Sequence, residues 1–171
     1  MTTPASLEPL AEVVAARVLL DAIEASRRLT ALQVPHALIG GLAVGLLGHP
    51  RATRDVDILV ADSAFEHVTP VVVFRVELRD LVRVGVIDLM PLPVDHPELA
   101  ADLRVPANDE IPVVSPEALV LLKLRADRPQ DRADIAALIG AGLNVANTTA
   151  YLRRYAPELV PRLSRILTDA V

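Results

Sequence analysis

The run LIGGLAVGLLGHPRATRDVDILV, from Leu38 to Val60, limits what this chain can fold into more than any other stretch. Its two ends read as strands, HALIGG and DVDILVA. Between them LAVGLLGH has the Leu and Ala of a helix, weakened by Gly45 and closed by Gly48 and Pro50. A strand, a tight turn, a helix and a second strand are therefore expected. On a strand, side chains two apart share a face, so Asp55 and Asp57 point one way while Val56 and Ile58 point the other. Like charges held so close, and partly removed from water, repel and raise each other's pKa. A cation between them removes that penalty. Hard oxygen donors suit Mg²⁺ (or Mn²⁺), and Mg²⁺ keeps several waters and accepts phosphate oxygens. For the isolated tripeptide, a loop-capping Asp beside a solvated one is the commoner arrangement.

Asp88 adds a third carboxylate. It stands alone in the apolar run VGVIDLM, where burial is costly without compensation. If its strand neighbours the one bearing Asp55 and Asp57, three carboxylates converge, and such a set can hold two metal ions. Gly40 and Gly41 sit between the first strand and the helix, where a backbone without Cβ atoms turns tightly and approaches a phosphate. By itself a Gly-Gly pair is weak evidence, and an ordinary turn is its commoner explanation. Neither the G-x-x-x-x-G-K-[ST] phosphate loop nor G-x-G-x-x-G is present. The chain's basic residues are 16 Arg and a single Lys, Lys123, inside the apolar helical run ALVLLKLRAD. A compact ammonium there suits a phosphate contact, or a snorkelling pair with Asp127 one turn later. Asp131 reads as a helix N-cap and Asp134 as a first-turn acid. Arg51 and Arg54 either meet phosphate or balance the aspartates.

Taken together, IGGLAVGLLGHPRATRDVDILV resembles the signature of the nucleotidyltransferase superfamily related to DNA polymerase beta: a hydrophobic residue, Gly, Gly or Ser, a spacer, and D-x-D framed by hydrophobics. RATRDVD is similar, more narrowly, to stand-alone bacterial nucleotidyltransferases of toxin–antitoxin and abortive-infection systems, with Arg51, Thr53, Asp55 and Asp57 on the matching positions. The resemblance covers about Pro35 to Leu143. It implies that Asp55, Asp57 and Asp88 are metal ligands and that Gly40, Gly41, Arg51 and Thr53 bind nucleotide. It also implies that Lys123 contacts the triphosphate, with Asp131 or Asp134 assisting. The implied activity is Mg²⁺-dependent transfer of a nucleoside monophosphate from an NTP to an acceptor hydroxyl. The acceptor would be RNA, such as a tRNA 3′ end, or a protein, with a cognate antitoxin or toxin as partner. A small-molecule acceptor or a non-catalytic binding module are the other readings. The segment between Val60 and Val71 is shorter than the helix this family usually carries there.

The rest of the chain supports one mixed α/β domain over 1–171, with a core over about 1–114 and a helical part over about 115–171. Ser6 to Leu32 has helical apolar spacing. VVVFRVELRDLVRVGVIDLM contains two strand-like runs, with alternation over Phe74 to Arg79 and a turn at Arg79-Asp80. PLPVDHPELAADLRVPANDEIP is irregular apart from a brief helical turn. Ser115-Pro116-Glu117 starts a helix that stops near Pro129, a second ends at Gly140 and Gly142, and Asn147 or Thr148 caps a third. The chain has no cysteine, so disulfides and thiolate metal sites are excluded. His36, His49, His67 and His96 lack metal-ligand spacing. Two Phe, two Tyr and no Trp argue against gripping single-stranded nucleic acid by stacking many bases. The formal charge of −5 argues against general affinity for phosphates, although seven arginines between Arg125 and Arg165 face four acids there. No basic leader segment and no membrane-length apolar run is present, so a cytoplasmic protein is expected.

Overall fold

The computed structural model describes residues 5–83 and 86–169. It is a mixed α/β structure with small sheets and a helical C-terminal segment. The chain divides into two compact units. One comprises the chain up to Leu46 with Pro50–Val114; the other comprises Leu47–His49 with the chain from Ser115.

The first unit is built on a three-stranded sheet. Its strands are β1 (His36–Leu38), β2 (Val56–Val60) and β5 (Ile87–Pro91), and β2 lies in the middle. It pairs antiparallel with β1 and parallel with β5. Alternation then sorts the side chains. Val56, Ile58, Val60, Ile87 and Leu89 join a buried cluster with Val18, Leu19, Ala22, Ile23 and Leu29 of helix α1 (Ala16–Ala31). A short 3₁₀ helix, Ala5–Leu10, precedes α1, so the N-terminal helical pattern resolves into two pieces. The helix between β1 and β2, α2 (Gly40–Leu46), begins on the glycine pair itself. Gly45, which weakens α2 by propensity, lets it pack closely: a Cβ there would stand 2.6 Å from the buried Leu10 side chain.

Two stretches depart from expectation. Where the resemblance implies a helix, a 3₁₀ turn (Asp62–Ala64) leads into a hairpin of β3 (Phe65–Val68) and β4 (Val71–Phe74). The alternation over Phe74 to Arg79 is not a strand but a 3₁₀ turn (Val76–Leu78) running into helix α3 (Arg79–Arg83). Leu78 and Leu81, three apart, are both buried, and Asp80 accepts hydrogen bonds from Arg28 at 2.6 and 2.7 Å. Tertiary burial at helical spacing prevails over the local alternation.

The second unit is helical: α4 (Pro116–Ala126), α5 (Pro129–Gly140), α6 (Val145–Tyr155) and α7 (Val160–Asp169). Ser115 caps α4 by accepting from the Ala118 amide, and Asp127 ends it in the left-handed region at φ 51°. The cap of α6 is Asn144, not Asn147 or Thr148; its side chain accepts from the Asn147 amide. Among the described residues, no helix is long and apolar enough to cross a membrane.

One buried polar pair in the first unit sets a pH dependence. His36 Nδ1 lies 2.9 Å from the Val34 carbonyl and must donate to it, so Nε2 accepts from the Ser26 hydroxyl at 2.8 Å. Burial holds the imidazole below its ordinary value near 6.5, against the Val34 hydrogen bond and aided by the Arg104 charge. The unfolded chain therefore takes up this proton first. Stability from His36 is complete above about pH 6.5 and is lost as pH falls through the folded value. His36→Gln is expected to flatten the urea-unfolding free energy between about pH 6.5 and pH 5 relative to the wild type.

Candidate functional site

The parallel register of β2 and β5 places Asp57 directly opposite Asp88. Neighbouring strands run about 4.8 Å apart, so these carboxylates stem from adjacent points on one face, away from the apolar cluster. Asp88 is exposed and Asp57 half-buried. Asp55 lies just before β2, exposed and two positions ahead of Asp57. Met90, two residues beyond Asp88 and also exposed, extends this face; it was legible only as the i+2 position of a strand.

The glycine pair closes against these residues. Gly40 adopts φ +63°, and a Cβ on it would fall inside the Asp57 carboxylate. The Ile39 amide donates to the Asp57 carbonyl at 3.0 Å, fixing the turn to the strand. A Cβ on Gly41 would stand 2.6 Å from Thr53 Oγ1 and 3.4 Å from an Arg51 guanidinium nitrogen. Gly40, Gly41, Arg51, Thr53 and Asp57 thus form one neighbourhood, with Asp88 across from Asp57. Arg54 is exposed on the segment leading to Asp55.

Among the described residues, no three His, Cys, Asp or Glu side chains are gathered as a metal-holding group. The donor set nevertheless fits Mg²⁺, which is commonly held by one or two carboxylates with phosphate oxygens and waters completing the shell. With no side chain on Gly40, one of those carboxylates, that of Asp57, packs directly against the turn.

Lys123, Asp131 and Asp134 form a separate network inside the helical unit. Lys123 is 5% exposed, and its Nζ donates to Asp134 at 2.6 Å and Asp131 at 3.1 Å. The pairing with Asp127 is not formed; Asp127 accepts from Arg132 at 2.8 Å instead. Asp131 is not the N-cap of α5 but its third helical residue, and Arg128 occupies the cap. The Arg128 amide and Nε both donate to Asp131, at 3.3 and 2.7 Å. Burial alone would raise the Asp131 pKa, but the hydrogen bonds and charges of Arg128 and Lys123 hold it below the ordinary carboxylate value. Asp134 lies in the second turn, buried, and also accepts from Gln130 at 2.9 Å. With its ammonium engaged by two carboxylates, Lys123 serves to hold α4 to α5.

Compared with protein-family models and with curated proteins, the chain matches none.

Two stability predictions follow from this geometry. Gly40→Ala forces a positive φ and a collision with Asp57, and is expected to destabilise by about 1–3 kcal/mol or more in urea unfolding. Lys123→Met removes the ammonium that two buried carboxylates share, with Arg128 remaining on Asp131. Its expected loss is about 3–5 kcal/mol, and a loss under about 1 kcal/mol would show that the network is not structural.

Proposed function

We propose that the α/β unit is a metal-dependent nucleotidyltransferase that moves a nucleoside monophosphate from an NTP to an acceptor hydroxyl. The observation that carries this reading is the Asp57–Asp88 register with Gly40 pressed against Asp57. Asp57 and Asp88 would hold Mg²⁺, with Asp55 as a third donor from the exposed approach to β2. When bound, the ion supplies positive charge for the triphosphate and lowers the pKa of the attacking hydroxyl. With no side chains on Gly40 and Gly41, the turn lies against the Asp57 carboxylate and the Thr53 hydroxyl, and the Arg51 guanidinium and Thr53 hydroxyl would meet phosphate oxygens there. The acceptor oxygen forms a bond to the α-phosphorus, the bond to the bridging oxygen breaks, and pyrophosphate leaves with that electron pair. Asp88 is exposed on the edge strand and would take the hydroxyl proton. Lys123, Asp131 and Asp134 are given no part in this scheme, because their charges satisfy one another.

The arginine-rich second part of the chain favours an RNA acceptor such as a tRNA 3′ end. From Ser115 onward there are eight basic and six acidic residues, against nine basic and sixteen acidic before it. The test incubates the protein with each α-labelled NTP, Mg²⁺ and either total tRNA or cell lysate. Label should pass to RNA. Label in protein instead would move the acceptor to a protein hydroxyl, as in adenylylation of a partner. Asp57→Asn and Asp88→Asn should each lower transfer by about 100-fold or more, roughly 3 kcal/mol of lost transition-state stabilisation. No transfer to any acceptor, or transfer unchanged in both variants, contradicts the reading.

A further inference from the structure

Helix α6 ends on a concentration of cations and rings. Its last turn carries Arg153, Arg154 and Tyr155, with Tyr151 one turn earlier, and these are the chain's two tyrosines. Thr148 and Leu152 are buried and fix which side of the helix packs inward. Arg153 and Arg154 are exposed, and both tyrosines are half-buried. The two rings lie with centroids 4.9 Å apart, tilted by 57°. The Arg154 guanidinium carbon stands 5.1 Å from the centre of the Tyr155 ring, within cation–π range.

No carboxylate answers these charges. The sequence from Ile135 to Pro157 contains no acid, and among the described residues neither Arg153 nor Arg154 has an ion-pair partner. Elsewhere the chain pairs its exposed arginines with acids, as Arg17 with Asp21, Arg28 with Asp80 and Arg79 with Glu66. With acids in excess over the whole chain, two guanidinium groups without one are open to an anion from outside. The helix dipole favours cations in the last turn, but it gives no reason for the rings beside them. A polynucleotide answers both features, because it offers phosphates to arginine and the flat face of an unpaired base to an aromatic ring. An acidic protein segment would engage the arginines and leave the rings unused. We propose that the last turn of α6 is an RNA-contact patch, in which Arg153 and Arg154 meet backbone phosphates and Tyr155 stacks on one unpaired base. One base is within the reach of a chain so poor in aromatics. The patch rests on the reading that the acceptor is RNA, and it names the residues that hold it.

The test measures binding of the full chain to two fluorescently labelled RNA hairpins by anisotropy, one blunt and one with an unpaired 3′ tail. Wild type should prefer the tailed hairpin, and the preference should vanish in Tyr155→Leu, a loss of about fivefold or more. Tyr155→Phe, which keeps the ring, should bind as wild type does. The double variant Arg153→Gln, Arg154→Gln should bind both hairpins at least about tenfold more weakly, with a slope of affinity against salt that is shallower by roughly one to two. Arg17→Gln, on α1, should change neither. No binding by the wild type, or binding that the double variant leaves intact, overturns the proposal. So does equal displacement of the tailed hairpin by polyglutamate of the same charge, which would make the patch a site for acidic protein. RNA binding of the expected pattern without any nucleotide transfer keeps the patch and fails the catalytic reading. Transfer to RNA that is unchanged in the double variant does the reverse.

Discussion

The parallel pairing of β2 with β5 is the interaction on which the rest of the site depends. It alone sets Asp57 opposite Asp88, although the two are distant in sequence. A one-residue slip would turn one of them into the apolar cluster and bring Ile87 or Leu89 out. That cluster therefore fixes the register, and the register fixes the carboxylate pair. Gly40 completes the arrangement because its positive φ and missing side chain let the turn before α2 lie against Asp57. Alternation puts Asp57 and Asp88 on the face opposite the apolar cluster, a face that also buries Leu59 and Ala37 further along β2 and β1.

The chain treats its carboxylates in two different ways. Asp131 and Asp134 are buried, and each is hydrogen-bonded to Lys123; Arg128 adds further bonds to Asp131. Their negative charge is balanced by cations within the fold, as burial requires. Asp88 and Asp55 instead face solvent, in a unit already rich in acids. A negatively charged nucleotide approaching that face needs a cation to accompany it.

Much of this was legible in order along the chain. Residues 36–60 read as strand, glycine turn, helix and strand because periodicity and breaker residues there agree with tertiary burial. The helices after Ser115 were legible through Pro at the first helical position and Gly near the end of α5. Phe74 to Arg79 was misread because an apolar–charged alternation over six residues also fits a short helix whose buried leucines lie three apart. The partners of Lys123 depended on how α5 packs against α4, which no local pattern specifies. Asp131 looked like a cap although a local signal was present: Pro129 starts the helix, which moves the cap to Arg128.

The most direct test of the central claim is binding of Mn²⁺ in the presence of a non-hydrolysable NTP analogue, followed by electron paramagnetic resonance. The account predicts a bound-ion signal that appears with the wild type and requires nucleotide. It should be weakened at least tenfold in Asp57→Asn and in Asp88→Asn, and be unchanged in the exposed-acid control Asp109→Asn. Equal Mn²⁺–nucleotide binding by all four proteins, or none by the wild type, would contradict it.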